Sequence, residues 1–279
     1  DDQYDHLELW TGNELKSNLN TDRYLAGLYD SNSGHLHPLN YTLGLADAAE
    51  KQGVFIYEKT LVREVREGSR INVITSQGDV SCSYLIWAGN AYLSGISGQI
   101  HKKLMPVGTY IGATEPLGEE KARELITNNM AVADINFVLD YYRLSADHRL
   151  LFGGRVSYST VPPVQLAASM KSRMLKVFPQ LSEVVIEYAW GGCVGITMNR
   201  APHFGRIGKN IFYAQGFSGH GVALTGLAGK LIAESVAGTS ERFDLFSRIP
   251  HLSFPGGPYL RMPALVLAMA YYRIRDLLP

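Results

Sequence analysis

Asn210-Ile211-Phe212-Tyr213-Ala214-Gln215-Gly216-Phe217-Ser218-Gly219-His220-Gly221-Val222 is the stretch whose reading decides the fold. Asn210 to Ala214 is an apolar run with the length of a buried strand, Gln215 to Gly221 is a glycine-rich turn, and Val222 to Ala237 is a small-residue helix. Glycines let a backbone turn sharply and approach a ligand closely. A helix that starts just after them aims free N–H groups and the positive end of its dipole at whatever sits there. Close packing of a helix through small residues accounts for Gly226 and Gly229, but accounts poorly for the run from Gly216 to Gly221.

Two nucleotide motifs use the same physics in a different order, and neither is present. Gly229-Lys230 is followed by Leu231 rather than Ser or Thr, and Leu224 stands where a P-loop needs its first glycine. The dinucleotide fingerprint G-x-G-x-x-G does not occur in the chain, and Gly216, Gly219 and Gly221 carry that spacing in reverse. Gly-x-Ser-x-Gly is also missing, so no nucleophile elbow is expected.

Outward from the turn, the upstream chain alternates helix and strand patterns. Asn40 to Gln52 reads as a helix stopped by Gly53, and Val54-Phe55-Ile56-Tyr57 as a buried strand. Thr60 to Arg66, Ile71 to Ile74 and Val80 to Tyr84 read as a small meander turning through Ser76-Gln77-Gly78-Asp79, and Tyr84 to Asn90 as a further strand. Val107 to Thr114, Phe137 to Leu144, Leu150 to Val156 and Val184 to Trp190 are strand-like, with a helix from Val164 to Phe178, which predicts a mainly antiparallel sheet with helices on one face. Boundaries are expected near Gly95 to Gln99 and Met198 to Pro202. The apolar stretch Pro263 to Tyr272 is too short for a membrane span and is expected to be a docking helix.

The 279 residues carry 26 Lys plus Arg against 26 Asp plus Glu, which removes the basic excess that phosphate-backbone binding requires, so no nucleic-acid partner is expected. With 46% hydrophobic residues there is ample material for a core. Only Cys82 and Cys193 occur, which builds neither a disulfide scaffold nor a zinc cluster and points to a reducing, cytoplasmic setting. The acidic, polar start is no secretory signal, and the chain reads as a piece of a longer protein. His35 and His37 share one face of an extended segment, but Asp30 and Asp47 are the nearest carboxylates, so no metal site is expected.

The ordered series of Gly34 to Pro38, Thr60-Leu61-Val62, Ile86-Trp87-Ala88-Gly89, Thr114-Glu115-Pro116, Tyr142-Arg143, Leu151-Phe152-Gly153-Gly154, Trp190-Gly191-Gly192 and Asn199 to Gly208 leading to the Gly216 turn resembles the FAD-dependent amine oxidoreductases of the D-amino-acid oxidase and sarcosine or glycine oxidase type. Within that family the likeness is to the branch acting on polyamine derivatives. The resemblance covers nearly the whole chain. It implies α/β plus antiparallel β architecture: a partial FAD-binding domain, lacking the N-terminal G-x-G-x-x-G unit of roughly 30 residues, with an inserted mixed-sheet substrate domain. The implied division is 1–38 substrate segment, 39–98 FAD segment, 99–198 substrate domain, 199–246 FAD segment and 247–279 docking tail.

The same resemblance implies FAD as cofactor. It puts the main chain of Val62 beside the adenine, Gly89 near the pyrophosphate, and Gly216, Phe217, Ser218, Gly219, His220, Gly221 and Val222 around the pyrimidine edge of the flavin. The helix after Gly221 would then stabilise negative charge on the reduced ring. In the family a hydride leaves the substrate's amine carbon for flavin N5, and the imine hydrolyses in water. Tyr142, Arg143 and Trp190 match positions lining the family's substrate domain. Each also has an ordinary reading, the aromatics as core residues and Arg143 as one half of a surface ion pair. Cys193 lies where some sarcosine oxidases attach flavin covalently, although an isolated cysteine is more often a small apolar residue. The uncovered sheet left without the N-terminal unit is expected to be closed by that segment, by a second copy or by another polypeptide; the competing reading is a flavin-free binding or scaffold fragment, whose glycine turn serves only packing.

Overall fold

A computed structural model describes residues 4–93, 96–136, 139–154, 163–257, 260–261, 263–264, 266–267 and 271. In chain order the elements are β1 (Leu7–Thr11), α1 (Gly12–Asn18), β2 (Ala26–Asp30), α2 (Pro38–Lys51), β3 (Val62–Arg66), β4 (Ile71–Thr75), β5 (Asp79–Cys82), β6 (Leu85–Trp87), α3 (Gly98–His101) and β7 (Met105–Thr114). They continue with α4 (Glu119–Leu125), β8 (Val132–Ala133), β9 (Asp140–Leu144), β10 (Leu150–Gly154), α5 (Leu166–Val177), β11 (Ile186–Ile196), β12 (His203–Ile207), β13 (Ile211–Gln215), α6 (Gly221–Val236) and α7 (Glu241–Ser247). The chain divides into two compact units, one of Asp1–His37, Gly108–Gly192 and Val266–Pro279, the other of Pro38–Val107 and Cys193–Leu265.

The first unit is built on a five-stranded sheet in the order β11-β7-β10-β9-β8. β10 runs antiparallel to both β7 and β9, which sets Phe152 opposite Gly112 on one side and Tyr142 on the other. Met170 and Met174 of α5 join Phe152, Tyr142, Phe178 and Leu150 in one buried cluster. Each such side chain contributes about 1.5–3 kcal/mol by leaving water. The β1–β2 hairpin adds Trp10, stacked on Tyr29 at 4.3 Å, and α1 adds Leu15.

The second unit holds a three-stranded sheet, β12-β13-β6, in which β13 pairs in parallel with β6 and antiparallel with β12. All of β13 is buried, because apolar layers cover both of its faces. Phe212 and Ala214 meet Leu231 and Ile232 of α6 and Phe243 of α7, whereas Ile211 and Tyr213 join Trp87, Leu93 and the meander residues Ile71 and Val73. The meander β3-β4-β5 turns between β4 and β5 through Ser76 to Gly78, as its polar residues require.

Most sequence expectations take shape here, including α5, the meander and the strand, turn and helix around Gly216. The mixed α/β character with antiparallel sheets follows from them. One expectation fails: Val54-Phe55-Ile56-Tyr57 is not a strand. The segment follows α2, which ends where the Gly53 amide donates to Glu50 O, and it is exposed, Phe55 to 80%. A strand exists only by pairing its N–H and C=O groups with a neighbour, and no described strand lies alongside. α2 likewise buries none of its residues. Phe137–Val138 and Arg155–Val156, at the ends of two expected strands, and half of Pro263 to Tyr272 lie outside the described residues.

Candidate functional site

The turn between β13 and α6 is built by backbone conformations that few residues adopt. Gly216 has φ +70° and Gly219 φ +100°, and a Cβ at Gly216 would overlap the methyl of Thr197. Only glycine meets both demands. Ser218, at φ +53°, is held in the left-handed region by its own bonds, its N–H donating to Gly195 O at 2.9 Å and its hydroxyl to Gly216 O at 3.1 Å. The Gly216 N–H donates to Asn90 Oδ1 at 2.9 Å, and the His220 N–H to Phe217 O at 2.9 Å. The buried Phe217 ring anchors the turn edge-on against Phe204, 6.4 Å between centroids.

Beyond these engaged groups, the start of α6 offers donors for a ligand. His220 precedes the helix without a side-chain capping bond, and no acidic residue stands in the first turn. The N–H groups of Gly221, Val222 and Ala223 therefore lack an acceptor inside the helix, and they carry the positive end of a 16-residue helix. Val222 is 53% exposed, so this end is open. Such an end stabilises a partial or full negative charge without supplying a proton. That donor set suits the carbonyl and N1 edge of an isoalloxazine, so the turn fits the flavin expectation.

Gly89 and Val62 show more ordinary reasons for their identity. Gly89 follows β6 with an unstrained φ of −75°, and a Cβ there would lie 2.8 Å from Leu93 Cγ, so the tight packing of Leu93 already requires glycine. Val62 opens β3 opposite Thr75, just before a register shift, with its side chain half-buried against the Trp87 cluster. Within this unit the structure joins Gly89 to the turn through the next residue, Asn90, a contact the sequence reading missed.

A second missed feature is the buried polar group adjoining the turn. Gln215 donates from Nε2 to Ile100 O at 2.8 Å and to His203 Nδ1 at 3.1 Å. Nδ1 is then an acceptor, so the neutral ring carries its proton on Nε2, 3.1 Å from Tyr213 Oη. Burial, with the neighbouring His251 and Lys103 adding to it, pushes the His203 pKa down to about 3. A His at the start of β12 and a Gln at the end of β13, each beside apolar residues, were the available signal, since buried polar groups are retained only where they are bonded.

Tyr142, Arg143 and Trp190 belong to the other unit. Tyr142 is 2% exposed, its ring stacked on Phe152 at 5.5 Å and edge-on to Phe178 at 5.2 Å, and burial drives its phenol pKa far up. It is a core residue, which removes it from the candidate ligand contacts. Arg143 points to the opposite face because side chains alternate along a strand. It donates from Nη1 to His35 Nδ1 at 3.3 Å and to Leu144 O at 3.1 Å, and from Nη2 to Leu36 O at 3.1 Å. It has no carboxylate partner among the described residues, which replaces the expected surface ion pair, and burial lowers its pKa. His35 Nε2 faces Asn129 O at 2.7 Å, so this imidazole is occupied by protein groups. Trp190 on β11 is 46% exposed. Cys193, in the second unit, donates its N–H to Tyr92 Oη at 3.0 Å, and neither it nor Cys82 is in a disulfide.

The family profile described as DAO: FAD dependent oxidoreductase matches residues 2–235. The gamma-glutamylputrescine oxidoreductase of Escherichia coli (strain K12) is 45% identical over 271 residues, 97% of this chain and 64% of that protein. A probable oxidoreductase OrdL of Haemophilus influenzae is also 45% identical, over 98% of this chain and 64% of its own length. The chain thus spans just under two thirds of these relatives. Among solved structures, glycine oxidase from Geobacillus kaustophilus superposes with a TM-score of 0.73 at 20% identity, covering 88% of this chain and 68% of that one. L-proline dehydrogenase from P. horikoshii gives 0.70 at 22% identity, covering 84% and 66%. At such identities the likeness is one of fold.

Proposed function

The chain belongs to the DAO family of FAD-dependent oxidoreductases, and on that footing we propose that it forms part of an enzyme oxidising an amine of an amino-acid or polyamine derivative, such as gamma-glutamylputrescine. The observation that carries the proposal is the open α6 N-terminus behind the Gly216–Gly221 turn, with no side-chain capping bond and no acidic residue in its first turn. Bound there, FAD would supply a two-electron acceptor at N5 for the hydride leaving the amine carbon.

The chain's own residues have three tasks under this reading. Gly221, Val222 and Ala223 present main-chain donors to the pyrimidine edge and stabilise charge that accumulates there. Gly216 and Gly219 keep the turn thin enough for close approach. Arg143, a half-buried guanidinium whose bonds go to neutral acceptors, orients a substrate carboxylate, for which its planar fork is suited. Trp190 borders the substrate on the same reading. The assignment of 39–98 and 199–246 to a FAD-binding part, and of 1–38 and 99–198 to a substrate part, belongs to this proposal, as does a cytoplasmic location. Among the described residues no helix is long and apolar enough to cross a membrane.

The test is a visible absorption spectrum of the purified chain before and after excess FAD is added and the unbound cofactor removed, followed by anaerobic addition of amines. Retained flavin bands that bleach with an amine support the proposal. A second reading has its own observation: Leu39, Leu43 and Leu45 of α2, together with Phe55 and Tyr57, are all exposed, and the chain spans 64% of its curated relatives. On that reading a further polypeptide segment or a second copy covers this apolar surface, and the chain alone holds no flavin. Colourless protein that gains flavin only with such a partner distinguishes the two.

A further inference from the structure

We propose that Asn90 is a positioning residue that holds the glycine turn at the height the flavin edge requires, an inference that rests on the reading of that turn as flavin-facing. Asn90 follows Gly89 at the end of β6, yet its Oδ1 accepts the N–H of Gly216, 126 positions later, at 2.9 Å. Its backbone is in the left-handed region, φ +45°. Asparagine enters that region more readily than most residues but still at a cost, and such strain persists only where the surroundings hold it.

The surroundings do hold it. On β11, Gly195 leaves the space that the Asn90 amide fills, since a Cβ there would overlap Oδ1. The same Gly195 accepts the Ser218 N–H through its carbonyl at 2.9 Å, and Tyr92 Oη, two residues after Asn90, accepts the Cys193 N–H at 3.0 Å. One side-chain amide thus joins three segments distant in sequence: the end of β6, the end of β11 and the turn. Asn90 engages the first N–H of the turn and Gly195 the third. The start of α6, with its free donors at Gly221, Val222 and Ala223, is thereby set relative to β13. Asn90 touches the turn, and acts on a ligand through it.

The experiment compares the full chain with Asn90→Gly, which keeps the left-handed backbone and removes the acceptor, and Asn90→Asp, which keeps both. Hydrogen exchange of peptides covering residues 215–222, measured without FAD, should be about tenfold faster at the Gly216 amide in N90G, the scale of one net hydrogen bond, and restored in N90D. Gly195→Ala, which displaces the amide while leaving Asn90 present, should loosen the same amide and serves if N90G folds poorly. With excess FAD, the flavin bands retained by N90G should shift in position or fall in intensity relative to the unsubstituted chain. Exchange unchanged in both N90G and G195A overturns the anchor. Faster exchange with an unchanged flavin spectrum overturns the positioning role. No flavin retained by the unsubstituted chain, either alone or with the covering segment or second copy supplied, even with faster exchange in N90G, counts against the flavin reading of the turn and leaves Asn90 a purely structural anchor.

Discussion

Gln215 Nε2 donates to His203 Nδ1 at 3.1 Å, and this contact assigns the proton of a histidine whose pKa burial pushes down to about 3. In the unfolded chain the imidazole takes up its second proton at a pKa of about 6.5. Between those values the unfolded state holds the proton and the folded state does not, so stability falls as pH drops from about 6.5 towards 3, by up to about 1.4 kcal/mol per pH unit. His203→Gln should be less stable at pH 7.5 but lose less on acidification. Urea denaturation at pH 7.5 and 5.0 checks this, and an equal loss in the two proteins would exclude His203 as the group responsible.

Arg143→Lys should raise the KM for an amine that bears a carboxylate by about 10- to 100-fold, the range expected for loss of a bidentate charged contact, with kcat changed far less. The KM for a simple amine without a carboxylate should stay near its original value. Steady-state assays on the two amines separate substrate recognition from a general loss of folding. Equal effects on both would count against a carboxylate contact.

Glycines in and after the turn should respond with opposite signs. Gly219→Ala forces a side chain into φ +100° and should cost about 1–2 kcal/mol or more. Gly229→Ala, within α6 and with open space at the Cβ position, should stabilise by about 0.5–1 kcal/mol. Thermal melts of the two variants would show one Tm falling and the other rising.

Tyr142→Phe should leave turnover unaltered and stability within about 1 kcal/mol, because the ring acts through its stacking on Phe152. Phe152→Ala should cost about 3–5 kcal/mol by opening a cavity in the same cluster. Chemical denaturation measures both, and a large fall in turnover for Y142F with intact folding would restore Tyr142 as a ligand contact.

Local pattern made several elements legible. The apolar run Ile211 to Ala214, the glycines after it and the small residues beyond specify a strand, a turn and a helix from neighbouring residues alone, and Ser76 to Gly78 specify a reversal in the same way. Val54 to Tyr57 shows the limit of that logic, because an apolar run has the composition of a strand whether or not a neighbour exists to pair with it.

By itself, the sequence determined most of the elements, their order and the sharp glycine turn after β13, since torsional preference and hydrophobic period act over a few residues. Only the tertiary structure decided which side chains serve a site. Tyr142 and Arg143 are adjacent, yet one is core and the other available, because the side of the sheet covered by α5 sets which alternate positions are buried. Asn90 reaches Gly216 across 126 positions for a similar reason: β6 and β13 pair in parallel, and that register, which no local pattern encodes, brings their C-terminal ends together.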